Sequence, residues 1–283
     1  MTHETFELTD GDGIRIHGHR WLPAARPRAV IHILHGWAEH AGRYDRPAGA
    51  LTAAGYAVYG DDHRGHGRTG ADAGGLGDLG PGAMDGVVLA VHDVTDMIRA
   101  EWPGLPLFLL GHSWGSFLGQ RFIAHWGDEL AGVIFTGTTD LATRGLPGGN
   151  FNEPFEPART PYDWLSRDES EVDRYVADPW CGFERMTATA SAAPASRTLP
   201  PQDDGAIPRH LPVLILNGAE DPIGGEEGGG ALADRYRSLG LDDVTFTAYP
   251  GARHELFNET NRDEVIGDVL SWLDRRAPAA PAR

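Results

Sequence analysis

No lysine occurs in the 283 residues, so all 24 basic side chains are arginines. This removes the amine that Schiff-base catalysis needs, the lysine of a phosphate-binding P-loop and the lysine base of a Ser-Lys dyad. Cysteine occurs once, at Cys181, which rules out an internal disulfide. Apolar runs are short, and none approaches the roughly 20 residues needed to span a bilayer. The opening Met1-Thr2-His3-Glu4 has no charged-then-apolar leader, so the expected location is the cytoplasm, without integral membrane association. Positive charge is scarce against 41 acidic residues, and a formal net charge of -17 argues against nucleic acid or an anionic membrane surface as partner.

Against these absences stands Gly111-His112-Ser113-Trp114-Gly115, directly after the apolar run Leu107-Phe108-Leu109-Leu110. In G-x-S-x-G the flanking glycines let a strand turn sharply into a helix and leave the serine hydroxyl exposed at the sheet top. Ser113 is the candidate nucleophile. A serine hydroxyl needs a base and an orienting carboxylate, here in the order Ser, Asp/Glu, His. The run Val213-Leu214-Ile215-Leu216 leads into a loop carrying Asp221, with Glu220 as its rival, and the run 244–249 leads through Pro250-Gly251 to His254. His254 takes the base role and Asp221 the orienting one.

An acyl-transfer reaction also needs donors for the developing oxyanion. The backbone N–H of Trp114, after the nucleophile, is one, and the N–H of Trp37, in the loop after 30–34, is the other. The two indole side chains are expected to shape a crowded acyl site.

His35-Gly36-Trp37-Ala38-Glu39-His40-Ala41-Gly42-Arg43-Tyr44 resembles the H-G-x-x-E-H-x-x-R-Y signature of the monoacylglycerol lipase and lysophospholipase-like branch of the α/β-hydrolases. Asp62-His63-Arg64-Gly65-His66-Gly67-Arg68 is similar to the branch's D-x-R-G-H-G-x-S segment, with Thr69 in the serine position, and Gly251-Ala252-Arg253-His254-Glu255 extends the likeness. The resemblance covers about 5–141 and 210–276. It implies the α/β-hydrolase fold: a mostly parallel, doubly wound eight-stranded sheet with a helical cap inserted after the sixth strand. It also implies a serine esterase acting on a small-molecule ester through an acyl-enzyme, with neither metal nor organic cofactor. Lysophospholipid or thioester hydrolysis and acyl transfer share that acyl-enzyme, and a non-catalytic ligand-binding protein on the same fold is the reading of a different class. Dehalogenase and epoxide-hydrolase chemistry is disfavoured because those relatives place a carboxylate where this chain has Ser113.

Periodicity agrees. The alternation over 14–21 predicts an early antiparallel strand, and runs near 29–35, 56–61, 107–111, 130–136, 212–217 and 244–249 predict a parallel core. Met84, Val87, Val88, Val91, Val94 and Ile98 carry the spacing of a helix packed on a sheet, as does 116–125, and Val265, Val269, Leu270 and Leu273 mark a last helix. The expected division is a core over 1–141 and 208–276, a cap over 142–207 and a disordered tail over 277–283. Within the cap Phe151, Phe155, Trp164 and Trp180 are candidate substrate contacts, with Tyr162, Leu165, Tyr175 and Phe183 as further wall. Glu39 and His40 are expected to brace the oxyanion loop, His63 and His66 to shape a loop instead of ligating metal, and the glycines at 224, 225, 228, 229 and 230 to form a mobile loop. Oligomeric state is left open by the sequence.

Overall fold

A computed structural model describes residues 1–145, 148–183 and 197–277. Eight strands, β1 (Thr2–Thr9), β2 (Arg15–Leu22), β3 (Ala29–Leu34), β4 (Tyr56–Asp61), β5 (Leu107–His112), β6 (Gly132–Thr136), β7 (Val213–Gly218) and β8 (Val244–Tyr249), form one sheet in the order β1-β2-β4-β3-β5-β6-β7-β8. β1 pairs antiparallel with β2 and β2 with β4, whereas β4, β3, β5, β6, β7 and β8 run parallel. The expected strands thus form, and β1 adds an edge strand whose alternating burial reflects one exposed face.

Among the described residues eight helices accompany the sheet: α1 (Asp45–Ala53), α2 (Gly67–Ala73), α3 (Ala83–Glu101), α4 (Trp114–Trp126), α5 (Leu141–Arg144), α6 (Glu169–Ala177), α7 (Gly225–Ser238) and α8 (Arg262–Asp274). Period-two burial splits the core into two apolar layers. Val30, Leu107, Leu109, Val133, Phe135 and Ile215 meet α3, α4 and α7, while Ile31, Ile33, Phe108, Leu110, Ile134 and Leu214 meet α1 and α8. On α3, Val87, Val88, Val91, Val94 and Ile98 are all buried, each contributing about 1.5–3 kcal/mol by leaving water.

The glycines at 225–230 correct the expectation of a mobile loop, for they open α7. Glycine costs a helix about 1 kcal/mol relative to alanine, but close approach demands it here. A Cβ at Gly228 would lie 2.6 Å from Thr139 Oγ1, and one at Gly229 would enter the ring of Phe246.

Between β6 and β7 the described residues contain no strand, only α5, α6 and short 3-10 turns. Residues 146–147 and 184–196 of that stretch, and 278–283 of the expected tail, lie outside the described residues.

Candidate active site

Parallel strands deliver their carboxyl ends to one edge of the sheet, and the candidate residues gather there. Ser113 sits between β5 and α4 with φ 51° and ψ -121°, a left-handed strain for a residue with a Cβ. The turn is held by the Ser113 N–H donating to Thr136 O at 2.9 Å and by Ser116, whose N–H and hydroxyl both donate to Ser113 O. Gly115 must be glycine because a Cβ there would collide with the carbonyl oxygens of Leu34 and His35 at the end of β3.

Asp221 follows β7 and His254 follows β8, and both side chains are buried. The Nδ1–H of His254 donates to Asp221 Oδ2 at 2.9 Å, which leaves the Nε2 lone pair free. Asp221 Oδ1 accepts from Ile223 N–H at 2.8 Å, fixing the carboxylate. Glu220 is exposed, so of the two acids it is Asp221 that meets His254. Burial opposes the imidazolium of His254, but Asp221, with Glu255 and Glu39 behind it, outweighs burial and raises its pKa above 6.5. Gly137, at φ 56°, leaves room for the ring, since a Cβ there would lie 2.9 Å from His254 Cε1.

The loop after β3 approaches the elbow so closely that a Cβ on Gly36 would lie 3.2 Å from Ser113 Cβ. Its shape is set from both sides. Glu39 Oε1 accepts from Gly36 N–H at 2.5 Å and from the Tyr44 hydroxyl at 2.9 Å. His35 Nε2 accepts from His63 N–H at 3.0 Å, so its Nδ1 carries the proton and donates to Gly36 O at 2.8 Å. Burial, with His63 and His66 alongside, lowers the pKa of His35 well below 6.5 and keeps that tautomer neutral. Among the described residues neither Trp37 N–H nor Trp114 N–H donates to another group.

Glu39 braces this loop as expected, whereas His40 turns away and bonds through Nε2 to Asp178 Oδ2 at 2.9 Å. His63 bonds to Asp61, which also holds His32, and His66 bonds to Arg64 O while stacking on Trp114. Burial pushes His66 down to about 3, a neutral packing ring. His112 bonds to Thr136 Oγ1, and its ring lies 4.8 Å from that of His254. Among the described residues two clusters bring possible metal donors within 4.8 Å of one another: His40, Asp178 and Cys181, and His92, Asp96 and Glu129. In the first, His40 and Asp178 already satisfy each other; in the second, Arg99 pairs with Glu129 at 2.9 Å.

Ser113, His254, Trp37 and Trp114 open onto one cavity of about 660 Å³, walled by Phe151, Tyr162, Trp164, Leu165, Tyr175 and Phe183 from the segment after β6. That volume corrects the crowded site expected from two tryptophans, because the indoles pack edge to face against each other at 5.2 Å along one wall. Phe155 and Trp180 are also corrected. Phe155 lies under the guanidinium of Arg253 at 4.1 Å and Trp180 against the ring of His40, and neither lines the cavity. Met84, Phe117, Leu141 and Ile223 line it instead, and nothing in their local pattern separates them from ordinary core residues.

Residues 25–261 match the family described as serine aminopeptidase, S33. A monoacylglycerol lipase of Mycolicibacterium smegmatis is 32% identical over 92% of this chain and 93% of its own length. The monoglyceride lipase of Mus musculus is 30% identical over 97% and 92%. Among solved structures, a highly thermostable carboxyl esterase from Bacillus coagulans in complex with glycerol superposes with a TM-score of 0.82 at 26% identity, covering 98% of this chain and 99% of that one. Among the described residues no helix is long and apolar enough to cross a membrane. The chain belongs to the serine aminopeptidase S33 family of α/β-hydrolases and, within it, to the monoacylglycerol lipase-like branch of serine ester hydrolases.

Proposed function

We propose that the chain hydrolyses monoacylglycerols and comparably small carboxylic esters through an acyl-enzyme on Ser113. His254 Nε2 takes the hydroxyl proton as Ser113 attacks and returns it to the leaving alcohol, and Asp221 holds the tautomer and stabilises the imidazolium. The Trp37 and Trp114 N–H groups receive the oxyanion. Water then attacks the acyl carbonyl by the same route.

The observation that carries this reading is an apolar cavity whose wall includes both Ser113 and His254. Its volume of about 660 Å³ exceeds what a short acyl group needs, so a medium chain with a glycerol-sized alcohol suits it. The glycerol held by the Bacillus coagulans esterase supports an alcohol of that size. We assign residues 142–207 as the cap, a reading supported by the aromatic side chains that its described residues contribute to the cavity wall. We place the protein in the cytoplasm on the strength of a lone cysteine with no disulfide partner in the chain.

The test is turnover of p-nitrophenyl esters and monoacylglycerols of graded chain length by wild type and Ser113→Ala, with fluorophosphonate labelling read by intact mass. Wild type should turn over and label once, and Ser113→Ala should do neither. Labelling without turnover moves the reading to thioesters or acyl transfer, and absence of both moves it to a binding protein.

A further inference from the structure

We infer that Arg43 is a positioning residue that ties the oxyanion loop, the loop of His254 and the helix over the cavity to one another. The inference rests on the proposed roles of Trp37 and His254. Its guanidinium donates from Nη1 to Glu39 Oε2 at 2.7 Å and to Glu255 Oε1 at 2.6 Å, and from Nη2 to Glu255 Oε2 at 2.7 Å. Glu39 carries the Gly36 N–H, one residue before the Trp37 donor, and Glu255 is the residue after His254. The same guanidinium lies 4.8 Å over the ring of Tyr175 on α6, and the Tyr175 hydroxyl donates to Ala38 O at 2.8 Å within the oxyanion loop. One side chain thus meets three segments that are far apart in the chain.

A planar fork is required. An ammonium could balance charge but could not hold both oxygens of Glu255 and reach Glu39 as well. The cavity enclosed beside Glu39, Arg43, His112 and Glu255 is about 10 Å³, room for a single water. Glu39 and Glu255 are both buried, so among the described residues two anions rely on this guanidinium, with Tyr44, Gly36 and Asn258 as neutral donors. The charged and titratable groups facing His254 are Asp221, Glu255, Glu39 and His112. Arg43 therefore also moderates the negative field on the base. Burial alone would raise the pKa of Glu255, and Arg43 brings it down to about 2.

The experiment measures kcat and KM from pH 5 to 10 on p-nitrophenyl butyrate for wild type, R43K, R43M, E255Q and R43M/E255Q, with melting temperature and fluorophosphonate labelling alongside. In R43M the plateau kcat should fall at least about tenfold while KM stays within about threefold, because a displaced donor weakens the transition state more than the ground state. Its acid limb should move up by at least about half a pH unit, since two unbalanced carboxylates favour the imidazolium. R43M/E255Q should bring the limb back, and R43K should keep the wild-type limb while losing plateau rate. Should R43M not fold, E255Q carries the test, with a limb shifted to lower pH.

An R43M enzyme that only melts earlier, with wild-type limb and plateau, overturns the inference, as does a limb that E255Q leaves unmoved in either background. Wild type that neither turns over nor labels removes the underlying reading instead, so the two failures are distinguishable.

Discussion

Gly36→Ala isolates the oxyanion loop. The added methyl would lie 2.8 Å from Glu39 Oε1, 3.2 Å from Ser113 Cβ and 3.3 Å from His112 Cδ2, all tighter than ordinary contact. None of the three can retreat freely. Glu39 is held by Gly36 N–H, Tyr44 and Arg43; Ser113 is locked in the elbow; His112 is bonded to Thr136. The loop itself must therefore move by a few tenths of an ångström, carrying the Trp37 N–H with it. Complete loss of one oxyanion donor costs about 100- to 1000-fold in kcat, so a displaced donor should cost about 10- to 100-fold. KM should change less, because the rings that the segment after β6 contributes to the cavity wall are untouched. The assay is steady-state kinetics on p-nitrophenyl butyrate with the rate of fluorophosphonate labelling, and both should fall together. A Gly36→Ala enzyme that folds normally and keeps kcat within about threefold of wild type would show that Trp37 N–H does not receive the oxyanion.

Asp221→Asn should lower kcat by about 1000- to 10,000-fold with KM nearly unchanged, because the amide favours the wrong tautomer of His254; a loss under tenfold would return the role to another acid. The activity of wild type should fall with acid as His254 is protonated, and because Asp221 raises that pKa, the midpoint of kcat/KM should lie above 6.5, whereas a midpoint below it contradicts the assignment. The same raised pKa makes protonation of His254 favour the fold: that contribution is full below 6.5 and is lost as pH rises through the folded value. Phe151→Ala should alter KM for medium-chain esters, while Trp180→Ala, which removes a ring packed on His40 outside the cavity, should leave chain-length preference as it is. Gly228→Ala offers a test of sign. Helix propensity predicts a gain of about 1 kcal/mol, but a Cβ 2.6 Å from Thr139 Oγ1 predicts a loss of about 1–3 kcal/mol by urea denaturation.

Much of this protein was legible in its sequence because the signals are local. The elbow needs glycines flanking Ser113 for steric reasons confined to one turn, and the strands announce themselves by apolar runs of three or four residues. The order of Ser113, Asp221 and His254 follows from strand ends, which the chain also displays. Aromatic residues between β6 and β7 were visible as a class, yet composition could not say which ring faces inward.

Tertiary structure decided whatever depends on separate segments converging. Asp221 turns inward to His254 while Glu220 faces solvent, an arrangement made by the packing of two loops 33 residues apart. Phe155 and Trp180 yield their places in the wall to Met84 and Phe117, whose helices β5 and its neighbours bring together. The glycines of α7 have their meaning only where Thr139 and Phe246 press against them. Arg43 and Glu255 stand 212 residues apart, and no periodicity or spacing links them. Backbone sterics and apolar periodicity act over a few residues and are written along the chain, but the pairing of a buried guanidinium with its carboxylates exists only after the sheet has brought both to the same edge.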